Sequence, residues 1–252
     1  MKSQDQSSTV VHLLGHLAIL RKYMVQIILM LAVVFLCLLP FAQTLYQVFA
    51  QPLLQALPAN SQMIATDITA TFTAPFKLTL FIAFLICLPF LLWHIWRFIA
   101  PALYLQEKKL TIALSSSSLV LFYLGISFSR YIVLPSVLYF FMHIAPDAVL
   151  PMTDISSYLS FCLKLFFTFG LCFEIPVLII VLLLSKLVTL EQLMHKRKFI
   201  IVGCFFVSMF ITPPDLLSML LLAVPMWGLF ELGLLAGKFI PHQIEHSALS
   251  SD

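Results

Sequence analysis

The sequence predicts an all-α integral membrane protein with six transmembrane helices. Of its 252 residues, 62% are hydrophobic and only 10% are charged, whereas soluble globular chains carry about 25% charged residues. The apolar residues fall in runs long enough to cross a bilayer, which takes about 20 helical residues at 1.5 Å each. Lys and Arg gather in alternate connections between these runs. These three observations together indicate one polytopic membrane domain.

Six apolar runs define the spans, and no polar stretch is long enough to form a second domain in residues 1–252. An amphipathic segment at about 9–22 precedes the first run and is typical of a helix lying on the membrane surface. A similar piece at 46–57 lies in the first connection and is interrupted by Pro52. Residues 238–252 form a polar tail. The predicted spans are about 23–42, 77–97, 110–140, 157–187, 199–211 and 216–237.

The later spans differ in length. Spans three and four are too long to stand upright, and Pro135 and Pro176 are placed to bend them. The fifth apolar run, 199–211, is short for a full crossing. Either it crosses a locally thinned bilayer, or the last two segments form a re-entrant hairpin. Both arrangements return the C terminus to the same side.

The basic residues predict the orientation. Of the 14 Lys and Arg residues, 11 lie in or beside the N-terminal segment, the second and fourth connections and the C-terminal tail. The connections at 43–76, 141–156 and 212–215 contain no Lys or Arg. By the positive-inside rule, both termini are cytoplasmic. Arg130 and Lys164 lie inside spans, where they either extend toward the outer water or line a polar pocket near the outer face.

No enzyme chemistry is predicted. The chain has no phosphate-binding loop, no paired intramembrane aspartates and no nucleophile-and-base motif, so neither a cofactor nor a catalytic residue is expected. The five cysteines lie in apolar runs. The sequence HQIEH at 242–246 fits a zinc pattern but lacks a third ligand, so no metal site is predicted. The basic residues form no single patch, which argues against nucleic acid.

Three acidic residues are candidates for a function. Glu174 and Glu231 lie within apolar spans, where a charge costs about 2.5 to 3.5 kcal/mol on insertion scales. Glu174 is either a functional group facing protein or water, or an acid that bonds a neighbouring helix or the backbone groups freed by Pro176. Glu107 either stabilises the start of the third span or offers a carboxylate to a cationic peptide.

Six short motifs carry a resemblance. They resemble the TatC family, the multi-span receptor component of twin-arginine protein translocation, and they follow the family's order along nearly the whole chain. The motifs are HLAILRK at 16–22, MIATD at 63–67, FIAPALY at 98–104 followed by Glu107, SYLSF at 157–161, FEIP at 173–176 and TPPD at 212–215.

The resemblance implies a cup-like bundle of six helices whose last two are short, in the bacterial inner membrane. It implies binding of twin-arginine signal peptides and, with single-span TatA and TatB, export of folded proteins by the proton gradient, in a receptor complex that holds several copies. The implied signal-binding residues are His16, Leu20, Arg21, Phe98, Pro101, Leu103 and Glu107. The implied contacts to partner helices are Glu174, Pro176, Thr212, Pro213, Pro214, Asp215 and Glu231.

The chain departs from the family's pattern at Ile19. The family's first motif usually has glutamate there, so half of the expected acidic pair for two arginines is missing. Arg130 and Lys164 are also unusual for the family. The alternative function is a proton-coupled secondary transporter that uses Glu174 and Glu231 as its relay.

Overall fold

The structure, a computed structural model, describes residues 21–56, 64–65, 67, 69–99, 108–144, 154–185, 187–212 and 216–249. Ten α-helices make up most of these residues. In chain order they are α1 (21–38), α2 (Ala42–Ala56), α3 (Ala70–Ile99), α4 (Lys108–Phe128), α5 (Leu134–Ile144), α6 (Ile155–Phe173), α7 (Ile175–Leu184), α8 (Leu190–His195), α9 (Arg197–Ile211) and α10 (Leu216–Leu249).

The helices include the predicted transmembrane spans. Within the described ranges, five helical segments are long and apolar enough to cross a membrane, namely Arg21–Gln51, Ala70–Arg97, Ile112–Phe141, Ile155–Leu184 and Met219–Lys238. The remaining predicted span, 199–211, corresponds to α9, whose 15 residues cover only about 22 Å. The prediction of an all-α membrane fold with six spans is therefore confirmed.

Both long spans are interrupted beside the prolines predicted to bend them. A π-helical turn, Ser129–Val133, separates α4 from α5 just before Pro135. Glu174 separates α6 from α7, and Pro176 lies in the first turn of α7. A proline has no backbone N–H and clashes with the preceding turn, so the regular helix changes at this point.

Two helices extend further than the sequence indicated. The helix α2 continues through Pro52, because a proline can bend a helix without ending it. The helix α10 has 34 residues, although its apolar window, Met219–Lys238, has 20. The predicted boundary at 237 followed hydropathy, which shows where apolar residues stop and not where backbone hydrogen bonding stops.

The centre of the bundle is α6, which packs against α3 and α4 and also contacts α9 and α10. Its buried residues Leu165, Phe166 and Phe169 lie in the largest core cluster. Near its start, the N–H of Ile155 donates a 3.0 Å hydrogen bond to the carbonyl of Ile64. Asp154 caps the helix by accepting a 2.8 Å bond from the N–H of Ser157. The start of α6 is therefore tied to the segment before α3.

The helices α7 and α10 approach each other at two glycines four residues apart. A Cβ at Gly233 would lie 3.0 Å from the Cα of Pro176, and one at Gly237 would lie 2.6 Å from a methyl group of Leu183. In a bilayer, close backbone packing replaces the hydrophobic drive that joins helices in water. This small-residue pair therefore positions α7, with Pro176, against α10.

Candidate functional site

Glu174 lies at the junction of α6 and α7 and bonds to a third helix. Its Oε2 accepts a hydrogen bond of 2.6 Å from the hydroxyl of Ser118 on α4. Its Oε1 is buried and has no hydrogen-bond partner among the described residues. The carboxyl group thus has one satisfied oxygen and one oxygen free to accept a further donor.

The backbone N–H and carbonyl of Glu174 are both hydrogen-bonded without help from its side chain. The N–H of Glu174 donates to the carbonyl of Leu171 at 3.1 Å, and its own carbonyl accepts from the N–H of Leu178 at 2.9 Å. The side chain makes no capping hydrogen bond to α7. Of the alternatives left open by the sequence, the bond to a neighbouring helix is present in the structure.

Close packing of α4 on α6 brings Ser118 to Glu174. A Cβ at Gly125 would lie only 2.6 Å from the carbonyl oxygen of Phe169, and one at Gly170 would lie 2.8 Å from the ring of Phe122. Ser118 precedes Gly125 by seven residues, so the two positions share a face of α4. The glycines thus set the helix separation at which the Ser118 hydroxyl reaches the carboxylate.

Glu231, the second acid of the apolar spans, forms an ion pair. Its Oε2 lies 2.9 Å from Nη2 of Arg197, the first residue of α9. The Arg197 side chain is 43% exposed and the Glu231 side chain 25% exposed, so water screens the pair in part. The pair connects α9 to α10 and gives Glu231 a structural partner.

Thr212 ends α9. It is 4% exposed, and its hydroxyl and its N–H both donate to the carbonyl of Ser208, each at 3.0 Å. Its backbone is extended, as expected for the residue before a proline. Pro213, Pro214 and Asp215, which complete the predicted turn, lie outside the described residues.

The predicted signal-binding residues are mostly outside the described part of the chain. Arg21 is exposed at the first described position of α1, and the backbone of Phe98 belongs to α3. Within the described ranges, no three His, Cys, Asp or Glu residues are placed to hold a metal ion. The residues that are not described are His16, Ile19, Leu20, Pro101, Leu103 and Glu107, whereas His242 and His246 lie in the backbone of α10.

Known proteins match nearly the whole chain. The family model described as "Sec-independent protein translocase protein (TatC)" matches residues 15–225. A protein of that description from Haemophilus influenzae is 44% identical over 252 residues, which is all of this chain and 97% of the relative. One from Escherichia coli K12 is 43% identical over 227 residues, covering 90% of this chain and 88% of the relative.

Comparison of the fold with solved structures gives the same family. A solved structure described as "Crystal Structure of Twin Arginine Translocase Receptor- TatC" superposes with a TM-score of 0.80 at 34% sequence identity, covering 89% of this chain and 98% of the other. The chain belongs to the TatC family. It is a multi-pass membrane protein of Sec-independent protein translocation. The alternative reading as a secondary transporter gains no support from these matches.

This TatC chain has two intramembrane cations that the sequence left with alternative explanations. The guanidinium of Arg130 lies 5.9 Å from the ring centroid of Phe49, within range of a cation–π contact. The exposed Lys164 lines a polar cleft with Asp67, Asp154 and the hydroxyls of serines on α6. Of the two explanations, the polar pocket therefore fits Lys164, whereas Arg130 packs on an aromatic ring.

Sequence reasoning missed Ser118 as the partner of Glu174 in the TatC bundle. The available signal was the run of four serines at 115–118 inside a predicted span, which is an unusual concentration of hydroxyl groups at membrane depth. Ser115 and Ser118 are buried, whereas Ser116 and Ser117 are exposed. The run alone does not indicate which serine faces which helix.

Proposed function

We propose that the protein is the signal-peptide receptor of a twin-arginine translocation system. It binds the twin-arginine signal peptides of folded proteins and acts with the single-span proteins TatA and TatB to export them across the bacterial inner membrane, driven by the proton gradient. Several copies assemble in the receptor complex. Translocation of this kind requires no catalytic residue and no cofactor.

One observation carries the proposal. The solved structure that this fold matches over 89% of the chain, at 34% identity, is described as a twin-arginine translocase receptor. Full-length similarity to other TatC proteins supports the same role, since the chain covers 97% of the Haemophilus influenzae relative. A receptor built on the same fold would use the same faces of the bundle.

The proposed signal site lies on the cytoplasmic side. The distribution of Lys and Arg supports cytoplasmic N and C termini, which puts residues 16–21 and the connection 98–107 on one side of the membrane. Glu107 is the acid proposed to pair with an arginine of the signal peptide, because a carboxylate and a guanidinium form two parallel hydrogen bonds. His16, Leu20, Arg21, Phe98, Pro101 and Leu103 complete the proposed surface.

Glu174 is proposed to contact the transmembrane helix of a partner. Its Oε1 is buried and has no hydrogen-bond partner among the described residues, so a polar group on a partner helix would satisfy it once docking opens the packing around Glu174. Ser118 holds the other oxygen and thereby orients the carboxyl group. The turn at 212–215, with Pro176 and Glu231, forms the remainder of the proposed partner surface.

Binding of matched peptides tests the receptor function. The full-length protein, purified from membranes, is titrated with a synthetic signal peptide that contains Arg-Arg and with the same peptide containing Lys-Lys. We expect clearly tighter binding of the Arg-Arg peptide, because a planar guanidinium pairs bidentately with a carboxylate and an ammonium does not. Equal binding of the two peptides, or binding of neither, would refute the proposal.

A further inference from the structure

The first span has little contact with the rest of the bundle. None of the apolar window of Arg21–Gln51 is buried, whereas 33 to 39% of each of the other four windows is buried. Helices in a bilayer gain no hydrophobic drive from packing on one another, so specific side-chain contacts decide where such a helix lies. The contacts at the two ends of α1 are therefore informative.

At the first described turn of α1, the helix contacts α3 through two aromatic rings. The ring of Tyr23 meets the ring of His94 edge to face, with the centroids 4.5 Å apart and the planes at 79°. Edge-to-face pairs of this kind contribute beyond the area that they bury. Tyr23 lies two residues after the first described residue of α1, and His94 lies five residues before Ile99, the last residue of α3.

Contacts within α3 hold the ring of His94 in place independently of Tyr23. Its Nδ1 lies 2.8 Å from the carbonyl oxygen of Phe90 and donates to it, since a carbonyl can only accept. The ring of Phe90 packs beside it at a centroid distance of 4.1 Å, and His94 is only 8% exposed. His94 thus presents an immobilised ring to Tyr23.

The positions of Tyr23 and His94 in the chain indicate what their contact does. Tyr23 follows Arg21 by two residues, and His94 precedes Phe98 by one helical turn. Arg21 and Phe98 belong to the two separate segments proposed to bind the signal peptide. We propose that Tyr23 and His94 are positioning residues, which hold α1 against α3 so that the two halves of the signal site stay in register. This inference rests on the proposed receptor function.

The chain provides a matched control at the other end of the same helix. The rings of Phe35 and Phe76 meet edge to face at 6.3 Å, again between α1 and α3. Phe35 lies 12 residues after Tyr23, which is about 18 Å along the helix. Loss of this contact loosens the first span without acting directly on the proposed site.

The experiment measures the affinity of full-length variants for the Arg-Arg and Lys-Lys peptides, per folded protein recovered from gel filtration. Tyr23→Leu and His94→Leu should each weaken Arg-Arg binding by about two- to twelvefold, the range that an aromatic pair can contribute. Each should also reduce the preference for Arg-Arg over Lys-Lys, which a lower yield of folded protein alone does not change. Tyr23→Phe keeps the ring edge and should bind within about twofold of the unaltered protein.

The combined variant and the control separate positioning from general damage. Tyr23→Leu with His94→Leu should bind no more weakly than the weaker single variant, because both changes remove one contact. Phe35→Leu should leave the preference for Arg-Arg unchanged. Unaltered binding in both single variants, additive losses in the combined variant, or an equal loss in Phe35→Leu would overturn the inference. If the unaltered protein binds both peptides equally, the receptor function itself fails, and that result is distinguishable.

Discussion

The hydroxyl of Ser118 donates a 2.6 Å hydrogen bond to Oε2 of Glu174 and joins α4 to the junction of α6 and α7. The two residues are 56 positions apart in the chain. The bond leaves Oε1 as the unsatisfied oxygen of the carboxyl group, within the described residues. It therefore joins α4 to the α6–α7 junction and fixes the orientation of the carboxyl group.

Replacing Ser118 by alanine should destabilise the protein modestly. Ser118→Ala leaves both carboxyl oxygens of Glu174 without a donor, and we expect the free energy of unfolding to fall by about 1 kcal/mol. Thermal unfolding of the protein in detergent measures the change. Ser117→Ala is the control, because Ser117 is adjacent but exposed. Identical unfolding midpoints for Ser118→Ala and Ser117→Ala would show that the bond does not stabilise the fold.

A methyl group at Gly125 should separate α4 from α6. In Gly125→Ala the new Cβ would lie 2.6 Å from the carbonyl oxygen of Phe169, a backbone atom that cannot move away alone. We expect a loss of about 1 to 3 kcal/mol in the free energy of unfolding, as for overpacking of a core. The same thermal measurement applies.

The control for this change is Gly228→Ala, whose Cβ would have no neighbour within 4 Å. We expect it to be neutral or to stabilise α10 by about 0.5 to 1 kcal/mol, because alanine favours a helix over glycine. If Gly125→Ala were as stable as Gly228→Ala, the two helices would not be packed as closely as described.

Removing one partner of the Arg197–Glu231 pair should cost more than removing both. For Glu231→Gln or Arg197→Gln alone we expect a loss of about 0.5 to 1 kcal/mol, since water screens this partly exposed pair. The double variant should recover most of that loss, because it leaves no unpaired charge. Thermal unfolding and the export of a reporter protein with a twin-arginine signal provide the two readouts.

Lys198→Gln is the control for this pair, since Lys198 is an exposed neighbour of Arg197. The double variant should fold but export the reporter less well than the unaltered protein, because Glu231 belongs to the proposed partner surface. Normal export by the folded double variant would restrict the role of Glu231 to the ion pair.

Neutralising Glu107 should weaken signal binding specifically. Glu107→Gln removes the carboxylate proposed to accept the guanidinium, and we expect the affinity for the Arg-Arg peptide to fall by about tenfold or more. Binding of the Lys-Lys peptide, which is weak at the start, should change much less. Unchanged affinity in a folded protein would assign Glu107 to stabilising the start of its helix.

The converse change adds the acid that this chain lacks. Ile19→Glu restores the glutamate of the family's usual motif and should tighten binding of the Arg-Arg peptide. Ile19→Gln has a similar size without the charge and serves as the control. Equal affinities for the two variants would mean that a second carboxylate does not contribute.

The sequence predicted which segments are helical better than it predicted the residues at which the helices end. Hydropathy located the spans because membrane depth requires apolar side chains and satisfied backbone bonds over a fixed length. Pro135 and Pro176 marked the interruptions, since a missing N–H acts locally. The far end of α10 at Leu249 was not predicted, because helical hydrogen bonding continues past the apolar residues.

By itself, the sequence determined the number of spans, the alternation of basic connections and the motifs that place the chain in the TatC family. These properties follow from local composition and order. Only the tertiary structure decided which polar groups meet, namely Ser118 with Glu174, and Arg197 with Glu231 from 34 positions away. Such pairs depend on how closely the helices approach, and for Ser118 and Glu174 the close packing at Gly125 and Gly170 sets that distance.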